Sequence, residues 1–440
     1  MKNYNSYDTY RYSSIAWIGD IPEHWEVRKL KYIFQIQKRI AGELGLNVLS
    51  ITQKGIKIKD ITSGGGQLAM DYSKYQRIYT GEFGMNHMDL LTGYVDISKY
   101  DGVISPDYRV FAQIDNESDK NYMLRLLQMC YKQKIFFAEG QGAAQLGRWR
   151  MPSDNFKNFL FPVPPKEEQT AIARFLDYKL AKINRFIQKK KQLLALYAER
   201  RKSLTKELVN SQNVKYLRLS SVANLIHRPI ERLENELYTP VGLYNRGRGL
   251  FHKESILGKE LGDSSFFYIK KGDVILSGQF AWEGSVALVD LEDDGCVASH
   301  RYPVLNCDLN VIIPEYLFSF FTISEGHLLL DYHSRGAAGR NRPLNPRYLI
   351  KEKIPVPDIS LQKELIKLIE RENELKAIIK KEISLVEEYK TALIAEAVTG
   401  KIDVRGYDVP EISEEETYEE IEEEISMAAE DGEEYQTIEE

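Results

Sequence analysis

Three cysteines in 440 residues, Cys130, Cys296 and Cys307, are too few and too scattered for a disulfide framework. Their odd number and their lack of metal-ligand spacing point to reduced thiols in a cytosolic protein. Histidine is sparse as well, at seven residues, and no His/Cys spacing suits zinc. No run of 18 apolar residues occurs, and Met1 to Asp20 is polar and tyrosine-rich, with no basic stretch leading into an apolar one. Neither a membrane span nor a secretory leader is expected, and a cytoplasmic location is. Catalytic signatures are missing too. There is no Gly-x-Ser-x-Gly, no His-Glu-x-x-His, no Asp-Pro-Pro-Tyr type tetrad and no dinucleotide fingerprint. Ser63-Gly64-Gly65-Gly66 lacks the Lys-Ser/Thr and the helix that a phosphate loop needs. The chain is not expected to be an enzyme.

Lysine and arginine are absent from residues 411 to 440, which hold fifteen Asp or Glu. The formal charge of −6 therefore hides a division, because the other 410 residues hold 59 basic and 50 acidic residues, a net of +9. Such a tail cannot bury enough apolar surface to order itself. Residues 406–440 are expected to form an acidic, disordered tail whose plain role is solubility; its sharper reading is a mimic of nucleic acid that screens the basic body. With 43% apolar content the body can bury two sizeable cores.

What the chain does have is a repeat of about 190 residues. Phe161-Pro162-Val163-Pro164-Pro165 returns as Ile354-Pro355-Val356-Pro357-Asp358, and Gln169 returns as Gln362. With a slip of one residue Ile183 matches Leu375, Ile187 matches Ile379 and Tyr197 matches Tyr389. Upstream, Gly81-Glu82 and Gly93 return as Gly272-Asp273 and Gly284. Gly142-Ala143-Ala144 and Gly147-Arg148 return as Gly336-Ala337-Ala338 and Gly339-Arg340. A period this long is a duplicated domain plus a helix, with a pseudo-twofold axis.

From Lys166, apolar residues at Ile172, Leu176, Ile183, Phe186, Ile187, Leu194 and Tyr197 keep a spacing close to 3.5, with Lys179 and Lys190 in the seam. The second stretch follows at Leu361, Leu365, Leu368, Leu375, Ile379, Val386 and Leu393, with Glu372 and Glu382 in the seam. Pro164 and Pro165, then Glu167 and Glu168, suit a helix start, and Thr399-Gly400 suits a stop. Rods of roughly 60 to 65 Å at about 1.5 Å per residue would space two domains apart. Residues 166–212 carry twelve basic and five acidic residues, and residues 359–401 carry eight of each. An antiparallel pair within one chain would bring Lys190 near Glu382 and bury two apolar stripes in one seam.

The segments before each helix read as mixed α/β domains on short strands, among them Val27 to Ile40, Val48 to Ile61, Leu217 to Ile226 and Asp273 to Leu276. Gly81-Glu82 and Gly272-Asp273 read as tight turns leading into strands. Basic residues with aromatics in glycine-rich loops supply the candidate contacts to DNA, since Arg and Asn match base edges and Lys serves phosphates. In the first half these are Arg39, Lys54, Lys57, Arg109, Arg148 and Arg150. In the second they are Arg228, Asn245, Arg246, Arg248, Arg301, Arg340 and Arg342. The loosely grouped histidines of the second half read as solvated or core residues.

Three motifs then give a resemblance. Tyr7-Asp8 with Ser14-Ile15-Ala16-Trp17-Ile18-Gly19-Asp20-Ile21-Pro22-Glu23-His24-Trp25 opens the chain, and Phe161-Pro162-Val163-Pro164-Pro165-Lys166-Glu167-Glu168-Gln169 opens the first helix. Ala397-Val398-Thr399-Gly400-Lys401-Ile402-Asp403-Val404-Arg405 follows the second. Together they resemble the specificity subunit of type I restriction-modification enzymes, over about residues 7 to 405. The resemblance implies target-recognition domains at 1–165 and 212–358, and an antiparallel coiled coil of conserved helical regions at 166–211 and 359–405. Each recognition domain would read one half of a bipartite, asymmetric site in double-stranded DNA. It implies two modification subunits that bring S-adenosylmethionine and adenine methylation, and restriction subunits that bring ATP, Mg, translocation and cleavage. This chain would bind no cofactor itself. The alternative is a stand-alone DNA-binding or structural scaffold without a modification partner.

Overall fold

The computed structural model describes residues 4–61, 71–142, 149–336 and 342–410. The Ser63–Gly66 loop and the acidic tail beyond Pro410 lie outside the described residues. The fold is mixed α/β, and the chain divides into two compact units. One holds the chain up to Ile187 together with the stretch from Ile383, and the other holds Gln188–Glu382. Both long helices, Lys166–Val209 and Glu364–Val398, are thus divided, so each unit contains part of each.

In the first unit a four-stranded antiparallel sheet runs in the order Phe34–Gln37, Arg109–Gln113, Phe83–Met85, Val95–Ile97. Its core is aromatic, with Phe83 and Phe111 stacked at 5.1 Å and Phe34 edge-on to both at 5.0 Å. The second unit repeats the order with Ala223–Ile226, Val304–Cys307, Val274–Leu276 and Val286–Leu288. Val27–Ile40 and Leu217–Ile226, each read as one strand segment, are both interrupted by a single 3-10 turn, Leu30–Tyr32 and Leu219–Ser221. The strand before each turn pairs antiparallel with the proline-bearing strand that leads to the long helix: Glu26–Lys29 with Leu160–Val163, and Lys215–Arg218 with Lys353–Val356.

The expected turns at Gly81-Glu82 and Gly272-Asp273 are present. Their φ values are +85° and +86°, a region open to glycine and costly for residues with a Cβ. Gly81 N–H donates to Ser98 O at 2.8 Å, and Gly272 N–H to Val289 O at 3.0 Å.

A fully buried glutamine locks each helix start to its sheet domain. Gln169 accepts from the Asp119 N–H at 2.8 Å and donates to the Glu117 and Pro164 carbonyls at 3.1 and 2.8 Å. Gln362 accepts from the Ile313 N–H at 2.9 Å and donates to the Val311 and Pro357 carbonyls at 3.0 and 2.7 Å. Each side chain answers three buried backbone groups that would otherwise cost free energy. Beside them, Tyr122 Oη donates to Pro162 O at 3.2 Å and Tyr316 Oη to Pro355 O at 2.7 Å.

The helices pair antiparallel inside each unit. In the second unit Lys190 meets Glu382 at 2.7 Å, as the seam predicts, and further along Arg201 meets Glu372 at 3.0 Å. In the first unit Lys390 donates to Asn184 Oδ1 at 3.1 Å, and Ile183, Ile187, Leu393 and Ala397 share one core. Two details differ from expectation. Ile359–Gln362 forms a separate helical turn before the second long helix. Phe186, placed in the seam by spacing, is 38% exposed. The seam is thin there, with no buried side chain between Ile187 and Arg201 on the first helix.

The three motifs that carry the resemblance meet in the first unit. Buried Glu168 accepts hydrogen bonds from Tyr7 Oη and from Trp25 Nε1, the latter at 2.9 Å, and its other oxygen lies 2.8 Å from His24 Nε2. The Arg405 guanidinium lies over the Tyr7 ring at 4.9 Å. Lys401 Nζ donates to Asp20 O at 2.7 Å, and the Asp403 N–H donates to Asn5 O at 2.7 Å. Gly400 has φ +74° and leaves no room for a Cβ, which would lie 2.4 Å from Pro22 Cδ.

Candidate DNA-interaction surface

Several expected contact residues are held by the scaffold. Arg109 is 4% exposed; it donates to Met151 O at 2.9 Å and lies over the Phe156 ring at 4.9 Å. Burial lowers its pKa to about 10. This corrects the expectation for Arg109, because a guanidinium enclosed in the core has no face left for a base edge. Arg39 pairs with Glu82 at 2.6 Å and lies over Tyr79. Arg228 grips Asp273 with both terminal nitrogens, at 2.5 and 3.0 Å. These two pairs are counterparts in the repeat. Each carboxylate also caps its turn, accepting from the Tyr79 N–H and the Lys270 N–H at 2.9 Å. Arg39 and Arg228 are therefore anchored to the turn that opens the central strand.

Other candidates stand in loops. In the second unit the loop 244–249 is tied down by hydrogen bonds. Asn245 donates to Glu283 and accepts from Ser285 Oγ. Arg246 adopts φ +58°, with its N–H on Glu283 O at 3.1 Å, and Gly247 N–H donates to Gly284 O at 2.9 Å. Gly247 sits where a Cβ would lie 2.6 Å from Thr322 Cγ2. Arg248 lies over the Tyr244 ring at 5.1 Å and donates to Asn245 O at 3.1 Å. The amide of Asn245 is thus committed to the loop, while the Arg246 and Arg248 side chains are exposed.

Arg301 and Arg342 join this group through Gly278, whose N–H donates to Arg301 O at 2.7 Å and whose carbonyl accepts from Leu344 N–H at 2.8 Å. Arg342 pairs with Asp331 at 2.7 Å and covers the Trp282 ring at 5.0 Å. Arg301 is exposed, and its side chain has no partner among the described residues. The loops around 246, 282, 301 and 342 therefore present arginine and tryptophan together. Trp282 was not anticipated from sequence. Its signal was available, since it lies in a turn between Gly278 and Gly284.

The first unit gathers fewer of its candidates. Met151 N–H donates to His87 O at 2.9 Å, the counterpart of the Leu344–Gly278 bond, and Arg150 is exposed beside it. Lys54 and Lys57 belong to the hairpin Leu49–Thr52/Gly55–Ile58, a separate element. Burial, with Arg109 and then Arg150 nearby, lowers the His87 pKa to about 3, so His87 is neutral. Arg148 and Arg340 lie outside the described residues. All three cysteines are buried, and burial pushes the Cys307 thiol up to about 12, which makes it inert. No described helix is long and apolar enough to cross a membrane.

The chain is similar to several known proteins. Residues 22–196 match the type I restriction modification DNA specificity domain. The chain is 24% identical over 432 residues to the type I restriction enzyme MjaX specificity subunit of Methanocaldococcus jannaschii, an alignment that covers 88% of this chain and 96% of that one. Among solved structures it is similar to the HsdS subunit from Thermoanaerobacter tengcongensis, at 13% identity and a TM-score of 0.42, over 87% of this chain and 98% of that one. It is also similar to the S subunit of a type I restriction-modification system from M. genitalium, at 15% identity and a TM-score of 0.42, over 85% and 96%. The chain is thus similar, over most of its length, to type I restriction-modification specificity subunits.

Proposed function

We propose that this chain is the sequence-reading subunit of a type I restriction-modification complex, binding double-stranded DNA and directing adenine methylation and cleavage by partner subunits. The observation that carries the reading is the cluster of Arg246, Arg248, Arg301 and Arg342 on adjoining loops of a sheet domain whose strand order occurs twice in the chain. Arginine is the side chain that reads guanine bidentately, and paired domains fit a target of two half-sites. Two modification subunits would bring S-adenosylmethionine, restriction subunits would bring ATP and Mg, and the work would take place in the cytoplasm. The chain itself would supply recognition and no chemistry.

Methylome sequencing tests this directly. Replacing residues 212–358 by the corresponding domain of a relative should change one half of the methylated sequence and leave the other. Inserting four residues after Leu196 should keep both halves and lengthen the gap by about one or two base pairs, since about 6 Å of helix compares with 3.4 Å per step. An insertion that changed the bases read would end the account of the helices as spacers. Methylation of DNA by the purified chain alone would end the non-catalytic assignment.

A further inference from the structure

The first unit contains a cavity of about 500 Å3 walled by the helix Lys120–Lys132 and both long helices. Four cations face it: Lys99, Arg125, Lys132 and Lys390. A single carboxylate, Asp177, lines it, and it is taken up by Arg125 at 2.7 Å. Lys390 is turned toward Asn184, another lining residue, at 3.1 Å, and also pairs with Glu387 on its own helix at 3.5 Å. Nothing among the described residues accepts a hydrogen bond from Lys132. Burial, and then the neighbouring charge of Lys390, hold its pKa below the usual lysine range against a weaker opposing pull from Glu387. An anion placed there would offset both by favouring the charged ammonium.

The second unit shows that the fold does not require these cations. Through the repeat, Lys99 corresponds to Asp290, Arg125 to Ser319, Lys132 to Gly326 and Lys390 to Ala198. In the second unit the counterpart residues bond one another instead. Asn373, the counterpart of Ala181, donates to Asp290 at 2.7 Å. Arg201 bonds Glu372 and Thr322, the counterparts of Leu180 and Gln128. Four positive charges thus converge on one cavity in one copy of a duplicated domain, and in the other copy all four are neutral or acidic.

We propose that this cavity is a phosphate-binding site particular to the first unit. Its volume falls within the range of small-ligand sites. Lysines and an arginine that outnumber their carboxylates, here four cations against Asp177 and Glu387, are the chemistry of phosphate recognition. The phosphate belongs either to a free nucleoside polyphosphate or to the DNA backbone, and the inference stands apart from the reading of bases by the loop arginines.

The test uses the full chain and two probes at low salt: sodium pyrophosphate by calorimetry, and a fluorescein-labelled DNA duplex by anisotropy. Pyrophosphate should bind saturably at one site per chain, and Lys132→Gln should weaken it tenfold or more. A second variant, Lys99→Asp with Ala181→Asn, installs the contact seen between Asp290 and Asn373 and should abolish binding in a folded protein. If pyrophosphate competes with duplex and Lys132→Gln lowers the salt slope of DNA binding by about one, the phosphate is that of the backbone. If both variants lose pyrophosphate and bind duplex as before, it is that of a free ligand. Equal pyrophosphate affinity in wild type and both variants, or no saturable binding together with unchanged duplex affinity, overturns the site. Methylome sequencing of the same variants separates this failure from a failure of the proposed function, because the bases read should not change.

Discussion

Leu180 and Leu393 are buried in the core of the first unit, where the second unit has Glu372 and Arg201 at the matching positions. The two arginine-binding carboxylate turns, by contrast, are the same in both. The difference separates two kinds of constraint. Gln169 and Gln362 answer the same three backbone groups, and Gly81 and Gly272 hold the same positive φ, so a change at either leaves a buried donor or a strained turn. A seam between helices asks only that volume be filled and charge be balanced. An apolar pair and an ion pair satisfy that equally.

The largest effect should come from Arg201→Ala. It leaves Glu372, 4% exposed, with Lys376 as its remaining partner. Burial by itself would raise the Glu372 pKa, and Arg201 and Lys376 outweigh it and hold the carboxylate lowered. Loss of one partner of a buried pair costs about 3–5 kcal/mol. Arg201→Leu with Glu372→Leu, which gives the second unit the pair of the first, should be close to neutral or stabilising. Urea denaturation of the two variants measures the difference, and equal destabilisation would show that the two seams are not interchangeable.

Gln169→Leu and Gln362→Leu should each cost about 1–3 kcal/mol, the penalty for unsatisfied buried groups. The Asp119 and Ile313 amides should lose hydrogen-exchange protection by matching amounts. Unequal losses would show that the two helix starts only look alike.

Acid should separate the units. The folded pKa of His87 is about 3, below the ordinary 6.5. The unfolded chain therefore binds the extra proton first, and stability falls as pH drops from about 6.5 toward 3. The counterpart of His87 is Gly278. At pH 5 the first unit should lose roughly 1–2 kcal/mol that the second keeps, visible as faster amide exchange in the first unit and removed by His87→Asn. The smallest effect is that of Lys190→Ala. Its pair with Glu382 is partly exposed and contributes no more than about 1 kcal/mol.

Much of the scaffold was legible because it is written in local or repeated signals. Helix starts are marked by Pro164-Pro165, turns by Gly-Asp and Gly-Glu, and the duplication by paired residues such as Gln169 and Gln362. The seam contact of Lys190 with Glu382 follows from the midpoint of two antiparallel heptad runs. The surface was harder to read. Arg39, Arg109 and Arg228 look in sequence like Arg246 and Arg301, since all stand near glycine or aromatic residues. Burial and a facing carboxylate, supplied by chain 40 residues or more away, separate the anchored arginines from the exposed ones.

The sequence by itself determined two copies of one domain, the rods that follow them, and the charge division between body and tail, because composition and periodicity carry these without reference to distance. Only the tertiary structure decided which cations face solvent, which hold a turn, and which converge on a cavity. Lys99, Arg125, Lys132 and Lys390 span nearly 300 positions, and no spacing relates them. Packing of a sheet edge, a short helix and two long helices brings them together, and a charge acquires its function from what lies within a few ångströms of it.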